Sequence, residues 1–154
     1  MAGPTPQDEY PAVTAWLLDT GPLVAALNRS DPYYQRCAAA LAAFSGTLLT
    51  TGAVVTEAMH FLGGQAEGAE ALAELLDDAQ VDIRDCFGQT QLHAAARLMR
   101  KYADTPMDFA DATLVLLAEE TGHNEILTLD ERGFRTYRFR STRRFNLVLL
   151  EKAP

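Results

Sequence analysis

Four acidic side chains stand at positions where a carboxylate is costly unless it has a partner. Asp19 ends the apolar segment AWLLD, and Asp130 ends the similar segment ILTLD. Glu57 lies in the patterned segment GAVVTEAMHFL, and Asp111 lies in MDFADATLVLLAEE among residues typical of a buried helix face. Buried carboxylates need compensation. Four of them at the edges of core elements therefore predict one shared site that holds a divalent cation.

Short apolar segments alternate along the chain with segments of helical periodicity. The predicted strands are VTAWLLD, TLLTT, VDIRD, HNEILTLD and FNLVLL. The predicted helices are PLVAALN, YYQRCAAALAAF, AVVTEAMHFL, AEGAEALAELLDDA, residues 89–102 and the segment that follows Pro106. This alternation indicates an α/β fold whose central, mostly parallel sheet is covered on both faces. Sites in such sheets form at the carboxyl ends of strands, so we expect Asp19 and Asp130 to lie close together.

Helical periodicity also predicts which side chains face the core. The expected inward residues are Val54, Val55, Ala58, Phe61 and Leu62 in the third helix, Leu92, Ala96 and Met99 in the fifth, and Ala110, Leu114, Leu117 and Ala118 in the sixth. The three histidines, His60, His93 and His123, share no metal-ligand spacing. We expect them to be structural or surface residues rather than catalytic ones.

The length and composition indicate one domain with a sizeable core, since 48% of the 154 residues are hydrophobic. We expect this domain to span residues 14–150 and to follow a Pro-rich, flexible extension at residues 1–13. No apolar run approaches the roughly 20 residues of a membrane span, and the first residues lack the pattern of a secretory signal. Cys37 and Cys86 have no metal-type spacing and are expected to be thiols in a reducing cytoplasm.

The formal net charge of −8 is unevenly distributed. Residues 1–131 carry 6 Lys or Arg and 20 Asp or Glu, a balance of −14, whereas residues 132–154 carry 7 and 1, a balance of +6. An acidic body with a basic end can hold a metal at one place and phosphate at another. The other interpretation is that the arginines only balance a very acidic surface.

Four segments, taken together, resemble the PIN domain, especially the VapC-type toxins. In chain order they are LLDTGPLVAAL, VVTEAMHFL, DFADATLVLLAEETG and ILTLDERGF, within a resemblance that spans residues 14 to about 150. The most specific part is DATLVLLA followed by TLDERGF, which places Asp111 and Asp130 19 positions apart. The resemblance implies a PIN-like three-layer α/β/α fold and a metal-dependent endoribonuclease, the toxin of a type II toxin–antitoxin module. In that family pattern Asp19, Glu57, Asp111 and Asp130 match the acidic quartet.

The implied cofactor is Mg²⁺, for which Mn²⁺ can substitute, because Mg²⁺ prefers oxygen ligands and keeps several waters. We expect Asp19 and Asp111 to be the main direct ligands, with Glu57 and Asp130 completing the site directly or through water. Asp108 lies one helical turn before Asp111 and either joins the site or only favours the helix dipole. A metal ion can activate water for attack on a phosphodiester, so no side-chain nucleophile is required.

The implied partners are an RNA substrate, a small antitoxin protein and a second copy of the chain in a homodimer. We expect the basic end to grip the RNA through Arg138, Arg140, Arg143 and Arg144. Tyr137, Phe139 and Phe145 interleave with these arginines, and they either stack on bases or pack in the core.

Other functions fit the sequence less well. A haloacid-dehalogenase-type phosphatase needs a second aspartate two residues after Asp19, where the chain has Gly21. A phospho-receiver domain needs a mid-chain aspartate at a strand end, whereas Glu57 lies in a predicted helix. The remaining alternative is a PIN-like module that binds RNA or protein without cleavage, which a metal-dependent cleavage assay distinguishes from a nuclease.

Overall fold

The computed structural model describes residues 14–85 and 88–150. In chain order the elements are β1 (Ala15–Leu18), α1 (Thr20–Ala26), α2 (Tyr34–Ala43), β2 (Thr47–Thr51), α3 (Gly52–Leu62), α4 (Gly68–Asp78), β3 (Asp82–Arg84), α5 (Gln89–Lys101), α6 (Phe109–Thr121), β4 (Glu125–Leu127), α7 (Glu131–Thr136), β5 (Arg138–Phe139), β6 (Arg143–Arg144) and β7 (Asn146–Leu147). The flexible extension predicted for residues 1–13, and Cys86, lie outside the described residues.

Five strands form a parallel sheet in the order β3-β2-β1-β4-β7. The central strand β1 pairs with β2 through Leu17 and Leu49, and with β4 through Leu17 and Ile126. Successive residues of β1, such as Leu17 and Leu18, are both fully buried although they point to opposite faces. Both faces of the sheet are therefore covered, and the predicted α/β fold with a central parallel sheet is confirmed.

Helix α6 crosses the core and is buried nearly all round. The residues expected to face inward, Ala110, Leu114, Leu117 and Ala118, are buried as predicted. Their neighbours Ala112, Thr113 and Val115 are fully buried as well. The helix contacts α3, α5, β2 and β5, so it has a packing partner on several sides. This placement explains why its sequence lacks the polar face of a surface helix.

Two of the predicted helix faces need correction. In α3 the buried row follows steps of four residues through Val54, Ala58 and Leu62, and Val55 is only partly buried. Phe61, which was predicted to face inward, is 59% exposed because it lies at the edge of that row beside an open pocket.

In α5 the predicted face is displaced. Leu92 is 48% exposed and Ala96 is exposed, whereas Ala95 is buried and Met99 packs against the core. The small side chain of Ala95 suits a close approach between α5 and the neighbouring α6. The row of residues that faces the core is therefore shifted by one position from the predicted row, and the larger Leu92 is left outside it.

The end of the described chain forms α7 and a two-stranded antiparallel sheet, β5–β6, that the sequence patterns did not predict. Its aromatic side chains turn inward: Tyr137 and Phe139 are fully buried, and Phe145 is 7% exposed. The Phe134 ring meets Tyr137 and Phe145 edge to face, with ring centroids 5.2 and 5.3 Å apart. Of the two roles considered for Tyr137, Phe139 and Phe145, the structure shows core packing.

No helix within residues 14–85 and 88–150 is both long and apolar enough to cross a membrane.

Changing Gly133 to Ala should destabilise the protein, because a Cβ atom there would collide with the Asp130 carboxylate and approach the Tyr137 ring. Alanine is intrinsically favoured over glycine in a helix by about 1 kcal/mol. We expect the collision to outweigh that gain and to give a net loss on the order of 1–3 kcal/mol, measured by urea denaturation. Gly64→Ala is the matched control, since nothing lies within 4 Å of its added Cβ. A Gly133→Ala variant at least as stable as the wild type would contradict this packing.

Candidate active site

An open pocket of about 450 Å³ lies at the carboxyl ends of β1 and β4. Six acidic residues line it: Asp19, Asp31, Glu57, Asp108, Asp111 and Asp130. The structure thus brings together all four predicted carboxylates and the alternative candidate Asp108. Asp31 was not among the predicted site residues, and nothing in the sequence pattern distinguishes its position at the pocket.

Asp19 is fixed by the two strands that flank the pocket. Its backbone N–H donates to the Leu127 carbonyl at 3.0 Å, so the end of β1 is held against the end of β4. One oxygen of its carboxylate accepts from the Thr20 N–H at 2.8 Å, which caps α1. The other oxygen accepts from the Thr128 hydroxyl at 2.7 Å. The side chain is therefore oriented by both strands and is only 7% exposed.

Asp108 and Asp111 hold each other at the start of α6. The Asp111 N–H donates to the Asp108 carboxylate at 2.8 Å, and the Asp108 N–H donates to the Asp111 carboxylate at 3.2 Å. This reciprocal arrangement satisfies two helix N–H groups that lack partners within the helix. Asp108 therefore both caps the helix and lines the pocket, so the two interpretations of it are compatible.

Asp130 and Glu57 complete the acidic lining from opposite sides. The Asp130 carboxylate accepts from the Gly133 N–H at 3.0 Å and so caps α7, while its own N–H donates to the Thr128 hydroxyl. Glu57 projects from the middle of α3 and is partly buried. Phe61 lies four residues later, on the same side of α3, and it lines the pocket too. That spacing from Glu57 is the signal by which Phe61 could have been placed at the site.

The pocket raises the pKa values of Asp19, Glu57 and Asp111. Burial raises the pKa of Asp19 to about 6, although the hydrogen bonds from Thr128 and Thr20 oppose the shift. Burial, followed by the charges of Asp19 and Asp108, raises the pKa of Asp111 to about 8. The pKa of Glu57 is raised by burial and by the charge of Asp108. These shifts mean that the pocket disfavours the charged form of the three carboxyl groups, first through burial and then through neighbouring like charges.

The acids of the pocket also affect the buried phenol of Tyr137. Its hydroxyl donates to the Pro106 carbonyl at 2.9 Å. Burial raises its pKa, and the charges of Asp111, Asp130, Asp108 and Asp19 raise it further. A phenolate at this position would add another negative charge to those of the pocket.

The donor set fits a hydrated divalent cation. Within residues 14–85 and 88–150 the ion pairs join Arg84 to Asp82 and Arg135 to Glu131, and none involves an acid of the pocket. The Thr20 hydroxyl is buried in the pocket wall without a hydrogen-bond partner, although it is near enough to Glu57 to lower the pKa of that carboxyl. A water of a hydrated ion would supply the missing partner.

The carboxylates share the pocket without converging on one point. Across the described ranges no three Asp, Glu, His or Cys side chains are grouped as direct ligands of a single ion. Separate hydrogen bonds to Asp19, Asp108, Asp111 and Asp130 fix these carboxylates at different places in the pocket. Because Mg²⁺ retains several waters and needs few direct carboxylates, this spacing suits a mixed set of direct and water-mediated contacts.

The sequence profile of the PIN domain family matches residues 16–140 of the chain. The chain belongs to the PIN domain family. This family match, together with the parallel sheet and its flanking helices, confirms the predicted PIN-like architecture.

This PIN domain is similar to several VapC proteins. It is 29% identical to the ribonuclease VapC26 of Mycobacterium tuberculosis over 136 residues, covering 86% of this chain and 98% of the relative. Among solved structures it is similar to M. tuberculosis VapC20, described as a sarcin-ricin loop cleaving toxin, with a TM-score of 0.67 and 18% identity over 77% of this chain and 91% of the other. It is also similar to VapBC2 of Rickettsia felis, solved with a DNA fragment from the promoter, with a TM-score of 0.53 and 18% identity over 79% and 91% of the two chains.

The four arginines predicted to grip RNA do not line the acidic pocket of this PIN domain. One Nη atom of Arg138 donates to the carbonyls of Arg135, Thr136 and Tyr137, which closes the end of α7. The Arg140 Nε donates to the Glu119 carbonyl near the end of α6. Two members of the predicted set thus satisfy helix carbonyls.

The other two members are exposed on β6. The guanidinium of Arg143 lies over the Phe139 ring, 5.0 Å from its centroid. The backbone carbonyl of Arg144 accepts from the Asn124 side-chain amide.

Replacing Asp111 with Asn should stabilise the metal-free PIN domain at alkaline pH. Asparagine keeps an oxygen that can accept from the Asp108 N–H but removes the charge. The folded-state pKa of Asp111 lies above the ordinary value of 3.8, at about 8. The wild-type protein therefore has its full stability below the ordinary pKa of 3.8, which applies to the unfolded chain. It loses stability as the pH rises towards the folded-state pKa of about 8. The variant lacks this loss.

We expect the Asp111→Asn variant to melt several degrees above the wild type at pH 8 in EDTA, at about 2–4 °C for each kcal/mol. The difference should shrink towards pH 4, and Mg²⁺ should stabilise the wild type more than the variant. Asp104→Asn, a change at an exposed acid outside the pocket, is the control and should have no such effect. Equal melting temperatures of Asp111→Asn and wild type at pH 8 would show that Asp111 is not under charge repulsion.

Proposed function

We propose that this PIN domain is a metal-dependent endoribonuclease and the toxin of a type II toxin–antitoxin module. The observation that carries the proposal is the pocket in which Asp19 and Asp111 are buried among like charges that no basic side chain of the described chain pairs with. Such an arrangement is unfavourable in the absence of a cation and becomes favourable when one binds. The name of VapC26 as a ribonuclease supports the same activity.

In this proposal Asp19 and Asp111 hold Mg²⁺, or Mn²⁺ in its place, directly. Glu57 and Asp130 contact it directly or through water, and Asp108 acts through its bond to Asp111. The bound ion would supply the Lewis acidity that makes water reactive towards a phosphodiester at neutral pH. Thr128 keeps the Asp19 carboxylate in one orientation, because it bridges that carboxylate and the Asp130 backbone. The unpartnered Thr20 hydroxyl is available to a water or to a phosphate oxygen.

The apolar part of the pocket lining is formed by Val24, Phe61 and Leu129. An exposed aromatic ring beside a phosphodiester site offers a face on which a base can stack. This apolar lining supports a single-stranded or locally opened RNA as the substrate, because a base inside a duplex is not free to reach the ring.

The proposed partner is a small antitoxin that covers the acidic pocket, by analogy with the VapBC2 assembly. We also propose a homodimer and a cytoplasmic location. The sarcin-ricin loop activity given in the description of VapC20 belongs to that protein, and RNA as a class is the substrate proposed for this one.

Asp19→Asn and Asp111→Asn should each reduce RNA cleavage by more than about 100-fold, since even an outer-shell change at a metal site costs 10–100-fold. Both substitutions keep side-chain volume, so circular dichroism should show a folded protein. Cleavage is measured on total bacterial RNA with Mg²⁺, and Asp104→Asn is the control that should keep full activity. Wild-type rates in either pocket variant would refute the site assignment.

Cleavage should disappear in EDTA and return with Mg²⁺ or Mn²⁺. Calcium should bind the pocket but support cleavage poorly, because its coordination is larger and looser and its bound water is harder to ionise. Binding is followed as a rise in melting temperature and cleavage by gel electrophoresis. Undiminished cleavage in EDTA would exclude the metal mechanism. Binding of Mg²⁺ without cleavage of any RNA would favour a PIN-like module that binds but does not cut.

A further inference from the structure

Exposed cations lie on α5 and on the β5–β6 hairpin, and both of these elements contact α6. Helix α5 contributes Arg97, Arg100 and Lys101, and the hairpin region contributes Arg140, Arg143 and Arg144, all of them exposed. We refer to these six residues as the basic face. Their positive charge contrasts with the formal net charge of −8 for the whole chain.

Contacts across α6 join the two halves of the basic face. Arg97 and Lys101 line a shallow depression together with Glu119 of α6, and the Arg140 Nε donates to the Glu119 carbonyl at 3.0 Å. The Tyr102 hydroxyl, at the end of α5, accepts from the Arg138 N–H at 3.0 Å. Helix α5 and the hairpin are thus neighbours on one surface. Glu119 and Glu120 lie at the end of α6, but six cations outnumber these two acids.

The basic face lies at the opposite end of α6 from the acidic pocket. Asp108 and Asp111 begin the helix, whereas Arg140 is bonded to Glu119 near its end. At 1.5 Å per residue the two ends are separated by roughly 16 Å along the helix axis. The two ends of strand β4 lie in the same way, one near the basic face and the other at the acidic pocket. Asn124, just before it, donates to the Arg144 carbonyl, and Thr128, just after it, donates to Asp19.

Charge and distance together identify the occupant of this face. Phosphates are repelled by the acidic pocket except at a bound cation, whereas exposed arginines and lysines attract them through counterion release. At the axial rise of about 3.4 Å per nucleotide in a stacked strand, 16 Å corresponds to roughly five nucleotides. A nucleic acid of that length or longer can contact both places at once.

We propose that the basic face is a second RNA-binding site, which holds phosphates of the substrate about five or more nucleotides from the bond that is cleaved. The inference rests on the proposed nuclease function for the identity of the RNA as substrate. Arg97, Arg100, Arg143 and Arg144 carry the phosphate contacts. Arg138 is not one of these residues, because its guanidinium caps α7.

The test measures binding of a fluorescent 20-nucleotide oligouridylate in EDTA, where the acidic pocket has no cation through which to attract phosphate. The double variant Arg97→Gln/Arg143→Gln removes one cation from each half of the face. We expect it to bind at least about 10-fold more weakly and to flatten the log–log salt slope by about 1.4, or 0.7 for each lost phosphate contact. Arg84→Gln, on the distant edge strand β3, and Asp111→Asn, in the pocket, should not weaken binding.

Two results would overturn the second site: wild-type affinity in the double variant, or an equal loss in Arg84→Gln, which would reveal only a net-charge effect. Circular dichroism confirms folding. If the Arg143 change disturbs the hairpin, Arg97→Gln/Arg100→Gln on the exposed side of α5 gives the same test. Polyglutamate is the competitor. If it displaces the oligouridylate from the wild-type protein at an equal concentration of charge, the basic face is assigned to an acidic protein instead of RNA.

Cleavage of total RNA with Mg²⁺ separates this inference from the proposed function. With both correct, the double variant raises KM for long RNA and leaves kcat unchanged. Absence of cleavage in the wild type, with the binding result intact, refutes the nuclease but not the RNA-binding face. Normal cleavage with unchanged KM in the double variant refutes the face but not the nuclease.

Discussion

The burial of like charges at the carboxyl edge of the sheet is the constraint on which the rest of the structure depends. Asp19, Asp108 and Asp130 are the N-caps of α1, α6 and α7, so three helices begin at one pocket. Each cap gives a carboxylate a backbone N–H, and for Asp19, which is 7% exposed, this lowers the cost of burial. The raised pKa values of Asp19 and Asp111 indicate that burial and like charge are not fully compensated. A bound cation would offset this remaining cost.

This arrangement also explains why cations of the protein lie elsewhere. An arginine inside the pocket would pair with a carboxylate, lower its pKa and compete with a metal ion for it. Arg138 and Arg140 instead bind backbone carbonyls at the ends of α7 and α6, and the arginines of α5 and β6 are exposed. If both proposals hold, attraction for phosphate is separated from the acidic pocket by the length of a helix. An RNA that must reach both places would then be selected by its length.

The sequence predicted the positions that follow from strand geometry and helical period. Asp19 and Asp130 end neighbouring parallel strands, and such ends necessarily share an edge of the sheet. The inward face of α6 followed from its period, because that helix has core on several sides. The face of α5 did not, since two rows only one residue apart contain similar numbers of apolar side chains. Which row faces inward is decided by the close approach at Ala95, a tertiary property. Phe61 is exposed for a related reason, because the pocket beside it is open.

The arginine-rich end shows most clearly where a sequence pattern stops being informative. The composition of a segment gives its charge, but it does not show which backbone carbonyls will lie near a guanidinium in the folded chain. Arg138 closes a helix with three such carbonyls, whereas the exposed Arg143 stacks on a buried phenylalanine and projects from a strand. The two residues are equivalent in composition, yet one Nη atom of Arg138 is engaged by helix carbonyls, whereas Arg143 is exposed. A cluster of like residues in sequence is therefore divided between stability and binding by the helix ends around it, and that division becomes visible only once those ends are placed.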